Sequence, residues 1–311
     1  MKKESLEALL PWAGIQVPAD IPHGDMPGDK VEISEEHIRK ATTIFPELIG
    51  EMIKVLEKGN SEKIVVAVCG GSGVGKSEIA SLLAFYLRES GIGAYTLSGD
   101  NYPHRIPMYN DAERLKVFRE AGMRAMAKAD ALTKERVEII RDFQAKEVDA
   151  DQGLLQANPW MAPYLEGGRA ALKDYLGTPN ETDFDEVSDI IKAFHQGQSS
   201  IYLRRMGRDD TALWYEKVDF SQVDVLLVEW THGNSDYLQG VDIPVLLNST
   251  PEETLAHRRA RNRDGKLDSP FTMMVLALEQ EKLHHQAKKA KIILSKNGEL
   301  LSFAEYEKVM A

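Results

Sequence analysis

Cysteine is almost missing from these 311 residues, with Cys69 standing alone. No internal disulfide can form, which points to a reducing compartment, and Cys69 reads as a small buried strand residue rather than a reactive or metal-binding one. Long apolar runs are missing too. The longest, such as Ile64 to Cys69 and Val225 to Val228, fall far short of a bilayer span, so no transmembrane helix is expected. A secretory leader is not expected either, because Glu4 and Glu7 follow Met1-Lys2-Lys3 at once and Pro11 interrupts the next apolar stretch. A cytoplasmic location is the expectation. Positive charge is in deficit, with 38 Lys and Arg against 49 Asp and Glu and a net charge of −11. Such a field repels phosphate backbones and anionic lipid, so neither nucleic acid nor membrane is expected as a partner unless basic residues gather locally. Internal repeats and low-complexity tracts are absent.

What remains is ordinary globular material, with 43% hydrophobic and 28% charged residues. Residues 1 to about 33 hold Pro11, Pro18, Pro22 and Pro27 among several glycines, which predicts an irregular arm with one short helix, its Leu9, Leu10 and Trp12 packed on the body. Ser34 offers a helix N-cap, and Leu48, Ile49, Met52, Ile53 and Leu56 recur at helical spacing up to Lys58-Gly59-Asn60. Residues 1–60 thus form an arm and helix, and 61–311 the main domain.

From residue 63 short β-branched runs alternate with helical stretches. The pattern predicts strands over Ile64–Cys69, Ala94–Leu97, Val223–Glu229, Val241–Leu247 and Ile292–Leu294. Helices are expected over Lys76–Glu89, Ala112–Met126, Lys134–Ala145, Asp185–Phe194, Pro251–Arg263 and Pro270–Lys289. The fold class that follows is α/β, a doubly wound, five-stranded and mostly parallel sheet with helices on both faces. A structureless loop of the length of 101–220 is improbable, so that stretch reads as a mostly helical insertion beside the sheet. Gly153, Pro159, Pro163, Gly167, Gly168, Gly177 and Pro179 mark its turns.

The strongest motif is Gly70-Gly71-Ser72-Gly73-Val74-Gly75-Lys76-Ser77, which fits G-x-x-x-x-G-K-[ST] between an apolar strand and an amphipathic helix. Its glycines let backbone N–H groups turn inward on phosphates, Lys76 reaches the terminal phosphates, and the Ser77 hydroxyl can ligate Mg²⁺. This is a nucleotide-binding P-loop. Asp100, in Ser98-Gly99-Asp100-Asn101-Tyr102-Pro103-His104-Arg105, follows the second strand at the carboxyl edge where ligands bind in open parallel sheets. There it could accept the proton of a hydroxyl or orient Mg²⁺ through water, or simply cap a turn. Glu229 ends the third apolar strand, where in place of the commoner aspartate it can hold Mg²⁺ through a water or simply stand as an exposed strand terminus. His232 in the loop beyond it is either an acceptor contact or an ordinary loop histidine. Arg258, Arg259, Arg261 and Arg263 crowd one predicted helix end, which suits either a lid over 257–269 that neutralises charge developing on phosphate or a solvated basic helix end that complements the helix dipole.

Taken together, the phosphate loop, the G-D-N-Y-P-H-R segment, the L-L-V-E strand end and the R-R-A-R-N-R-D stretch resemble the uridine kinase and phosphoribulokinase family of P-loop kinases over about residues 63 to 295. Pro179 to Asp185, ahead of a helix, is similar to the Asp-Phe-Asp-like segment of that family. The resemblance implies ATP·Mg²⁺-dependent transfer of a γ-phosphate to an alcohol of a small metabolite, such as a nucleoside, a sugar or sugar phosphate, or a pantothenate-like acceptor. It makes Asp100 the base, Arg259 and Arg263 the lid arginines, and Glu229 the strand-end acid. Tyr102, His104, Arg105 and His232 are the candidate acceptor contacts. The arm and the stretch from 105 to 180 have no counterpart in the pattern. Adenylylsulfate or nucleotide kinases and a regulatory P-loop ATPase stay open as alternatives, as does a homo-oligomer.

Overall fold

The structure is a computed structural model that describes residues 1–59, 62–207, 213–255 and 269–310. Among them the strands are β1 (Ile64–Gly70), β2 (Ala94–Ser98), β3 (Ser200–Met206), β4 (Leu213–Asp219), β5 (Val225–Glu229), β6 (Ile243–Leu247) and β7 (Ile292–Leu294). The helices are α1 (Lys3–Glu7), α2 (Glu35–Glu57), α3 (Lys76–Glu89), α4 (Pro107–Lys128), α5 (Lys134–Ala145), α6 (Ala162–Tyr175), α7 (Phe184–His195), α8 (Pro270–Gln286) and α9 (Phe303–Met310). Two compact units emerge. The first holds the described residues of 1–102, 183–254 and 283–310, the second those of 103–182 and 255–282.

In the first unit, five strands form an all-parallel sheet in the order β2-β5-β1-β6-β7. Every residue of β1 is buried, as a central parallel strand covered on both faces requires. Ile64, Val66 and Val68 pack with α2 and α3, while Val65 faces the opposite way into a cluster with Val187, Ile191 and Phe194 of α7. Cys69 joins Leu246, Leu283, Ile293 and Tyr306 on that second face. Its thiol donates to the Val245 carbonyl at 3.4 Å, and burial pushes its pKa up to about 12. The chain leaves β1 toward β2 on one side and leaves β5 toward β6 on the other, so the carboxyl ends of β1 and β5 border the crevice where such sheets take ligands.

Ser34 caps α2 as expected: its Oγ accepts from the His37 amide at 3.3 Å, and His37 Nδ1 accepts from the Ser34 amide at 3.2 Å. Trp12 packs on Phe45 and Tyr86, with ring centroids 4.4 and 5.5 Å away. Leu10 is exposed instead, and Leu6 and Ile21 supply the arm's buried anchors. The helix expected over Pro251–Arg263 begins as hydrogen-bonded turns over 251–254 that lead into helix at Leu255, and residues 256–268 lie outside the described set. The stretch 101–220 also holds an antiparallel hairpin, β3 with β4, that the sequence pattern does not announce.

In the second unit α4 and α6 pack on one another around Phe118, Met126, Tyr164, Leu165 and Leu172. Gly167 and Gly168 are not turn residues but sit inside α6. A Cβ on Gly168 would come within 2.5 Å of the Phe118 ring and 2.8 Å of the Phe118 carbonyl, so glycine here permits close helix approach. Buried charges are paired: Asp149 accepts two hydrogen bonds from Arg119, at 3.0 and 2.8 Å, and one from the Tyr164 hydroxyl at 2.7 Å.

Candidate active site

The phosphate loop joins β1 to α3. Gly75 is the N-cap of α3 at φ +96°, and a Cβ there would meet His37 Nε2 at 3.1 Å, so both backbone and space select glycine. The first turn of α3 presents N–H groups without intrahelical partners and the positive end of the helix dipole, the arrangement that holds phosphate. Lys76 opens that turn, and its Nζ donates to the Gly71 carbonyl at 3.1 Å across the loop.

One residue on, Ser77 Oγ donates to Glu229 Oε1 at 3.1 Å, and Ser98 Oγ donates to Glu229 Oε2 at 3.2 Å. The first turn of α3 and the ends of β2 and β5 therefore meet at one carboxylate. In-register pairing of β5 with β1 and β2, which aligns Glu229 with Val68 and Ser98, produces the convergence. Glu229 is only 4% exposed. Burial, and then the negative charge of Asp100, lifts its pKa to about 7, while Lys76 and the Ser77 hydroxyl pull the other way.

A carboxylate and an alcohol are hard oxygen donors, and a buried carboxylate held near its protonation point gains from a cation. The pair fits Mg²⁺, which is commonly held by one or two protein oxygens together with substrate phosphates. Among the described residues no group of three or more His, Cys, Asp and Glu is arranged to hold a metal.

Asp100 is exposed in a 3₁₀ turn, Gly99–Asn101, directly after β2. The turn is held from outside the sheet by Asp25, a residue of the N-terminal arm that the sequence does not single out. Asp25 Oδ1 accepts from the Ser98 amide at 2.7 Å and from Asn101 Nδ2 at 3.1 Å. Its Oδ2 accepts from the Tyr95 hydroxyl and from Arg205 Nη1 of β3, each at 2.9 Å. Burial raises the Asp25 carboxyl above the ordinary range, against the pull of Arg205. No spacing rule could have found it, since its partners lie 70 to 180 residues away.

The other candidates scatter. Tyr102 is fully buried, in a cluster with Leu97, Phe184 and Trp230. His232 lies edge-on to Trp230, with centroids 5.5 Å apart, in the loop after β5. His104 and Arg105 belong to the second unit, where His104 Nε2 bonds the Pro179 carbonyl at 2.8 Å and Arg105 Nη1 donates to the Tyr175 hydroxyl at 3.1 Å. Arg259 and Arg263, with the rest of the expected lid over 257–268, lie outside the described residues. In the first unit an open groove of about 550 Å³ runs along α7 and the β3–β4 hairpin, lined by Asp183, Glu186, Asp189, Ile190, Tyr202 and Tyr215 among others.

A glycine-rich loop between the central strand of a parallel sheet and a helix, with a serine and a strand-end acid facing one another beside it, defines a P-loop NTPase fold. No family model matches the chain. Over 241 residues, 77% of its length, it is 42% identical to the bifunctional alpha-galactosidase/sucrose kinase AgaSK of Mediterraneibacter gnavus. The chain spans 21% of that relative's length. Similar solved structures include one described as a putative fructose transport system kinase from Silicibacter sp. TM1040, with TM-score 0.40, 17% identity and coverage of 74% of this chain and 87% of that one. Another is described as a possible uridine kinase from Bacillus stearothermophilus, with TM-score 0.35, 13% identity and coverage of 72% and 94%. Among the described residues no helix is long and apolar enough to cross a membrane.

Proposed function

We propose that the chain is an ATP-dependent small-molecule kinase that passes the γ-phosphate of ATP to a sugar hydroxyl, with sucrose the first acceptor to try. The observation that carries this reading is the meeting of Ser77, in the turn of α3 that Lys76 opens, with Ser98 and Glu229 at the ends of β2 and β5, Asp100 lying in the turn that follows β2. The sugar class is supported by the 42% identity to a protein named as a sucrose kinase. The groove of carboxylates and tyrosines offers further support, since acceptor oxygens and aromatic faces are what a polyhydroxylated ring is recognised by.

The loop amides and Lys76 cradle the β- and γ-phosphates. Ser77 and Glu229 hold Mg²⁺, which when bound neutralises charge on the phosphate oxygens. Asp100 takes the proton of the attacking hydroxyl as its oxygen bonds to the γ-phosphorus and the bond to the β-phosphate oxygen breaks, leaving ADP. His232 borders the acceptor. Arg259 and Arg263, on the sequence pattern alone, add positive charge over the transferring group.

The test is ADP release by the purified protein with Mg·ATP and sucrose, other sugars, sugar phosphates, nucleosides or pantothenate, repeated on Asp100→Asn. A kinase forms ADP only with its acceptor, and Asp100→Asn keeps nucleotide affinity while transfer falls by roughly two to four orders of magnitude. Slow ADP release indifferent to every acceptor would make the chain a switch ATPase. Unchanged transfer in Asp100→Asn would remove its role as base, and a matching loss of Mg·ATP affinity would make it a metal-site residue.

A further inference from the structure

We infer that Asp25 is a positioning residue of the transfer site, through which the N-terminal arm fixes the turn that carries Asp100; this rests on the kinase reading. Four donors converge on its carboxylate, whose side chain is 9% exposed, and two of them bracket Asp100 directly: the amide of Ser98 on one side and the amide group of Asn101 on the other. The same side chains reach further. Ser98 Oγ donates to Glu229, and Asn101 Oδ1 accepts from the Met206 amide of β3 at 2.9 Å. Arg205, next in β3, donates to Asp25 and to the Tyr95 hydroxyl at 2.9 Å each and to Glu216 of β4 at 3.0 Å.

The arm thus ties the end of β2, the Asp100 turn and the β3–β4 hairpin into one hydrogen-bonded set. A general base must hold its place to a fraction of an ångström to act, and a 3₁₀ turn of three residues is too short to fix its own backbone that closely. Asp25 supplies the constraint. Only a carboxylate can do so here, because it accepts from all four donors at once. An amide has a single acceptor oxygen and turns N–H groups toward at least one of the pairs.

The experiment compares Asp25→Asn with wild type in the acceptor-dependent ADP assay, alone and combined with Asp100→Asn, and follows amide hydrogen exchange across residues 94–106 and 64–80. We expect kcat to fall roughly 10- to 100-fold with KM for ATP within about threefold. In the Asp100→Asn background the second substitution should cost less than about threefold, because a residue that acts through Asp100 has nothing left to position. Exchange should quicken at 98–102 and stay unchanged in the phosphate loop. An equal loss in both backgrounds, a loss confined to ATP affinity, unaltered kcat, or unaltered exchange at 98–102 would each overturn the inference. If Asp25→Asn does not fold, Tyr95→Phe removes one donor from the same carboxylate and must show the same pattern at smaller amplitude. Wild-type protein that forms no ADP with any acceptor would reject the kinase reading itself, an outcome distinct from turnover that Asp25→Asn leaves intact.

Discussion

Glu229→Gln should make the protein more stable at neutral and alkaline pH while removing its capacity to use Mg·ATP. Burial and the Asp100 charge move the Glu229 carboxyl from 4.5 to about 7. Between those two values the native state holds a proton that the unfolded chain has released, so the contribution of this group to stability is fully present below about pH 4.5. It is lost progressively as pH rises toward 7, and flat beyond. Each pH unit of that interval is worth about 1.4 kcal/mol, so the wild type carries a penalty of roughly 3 kcal/mol at pH 8 that glutamine does not. The glutamine side chain keeps an oxygen for one of the two hydroxyls and the shape of the original. Urea unfolding of both proteins at intervals from pH 5 to 8.5 measures the difference directly. The two curves should diverge with rising pH by up to about 3 kcal/mol in favour of the variant, and adding Asp100→Asn to both should shrink the divergence by removing the nearby charge. Parallel curves would show that Glu229 is ionised throughout and that its burial costs nothing, which would refute the electrostatic argument for a cation at this position.

Lys76→Ala should leave the unfolding midpoint nearly unchanged, since its ammonium group bonds the Gly71 carbonyl of its own loop, yet reduce phosphoryl transfer by roughly a hundredfold or more; wild-type turnover would refute its role. Gly168→Val should destabilise the second unit by about 1–3 kcal/mol, because the added Cβ meets both the ring and the carbonyl of Phe118, and faster amide hydrogen exchange across α4 and α6 would register it.

The sequence carries the chemistry of the site where that chemistry is local. The apolar run of β1, the glycines, Lys76 and the amphipathic α3 follow one another without a gap, and the predicted limits of α3, α5 and β7 coincide with those observed. What is not local is hidden. Strand β4 exposes nearly every residue, so Trp214, Tyr215, Glu216 and Lys217 show none of the apolar alternation that marks a strand, and its partner β3 is hidden with it. Gly167 and Gly168 read as a turn because glycine more often serves bends. Their use as a contact surface depends on Phe118 and Ala125 of α4, 40 to 50 residues upstream. Asp25, in a segment of prolines and glycines, has the look of a solvated loop acid until its partners in β2 and β3 are in place.

The solitary thiol of Cys69 makes the protein its own folding reporter. It lies on the central strand one residue before the phosphate loop, fully buried and with its pKa pushed to about 12, so a water-soluble alkylating reagent at neutral pH finds neither access nor thiolate. Any labelling must wait for β1 to leave the sheet. The rate of mass addition under native conditions therefore counts the openings of the nucleotide-binding strand, with no engineered probe and no second cysteine to confuse the signal. Its slowing by Mg·ATP would give the free energy with which nucleotide braces the centre of the sheet.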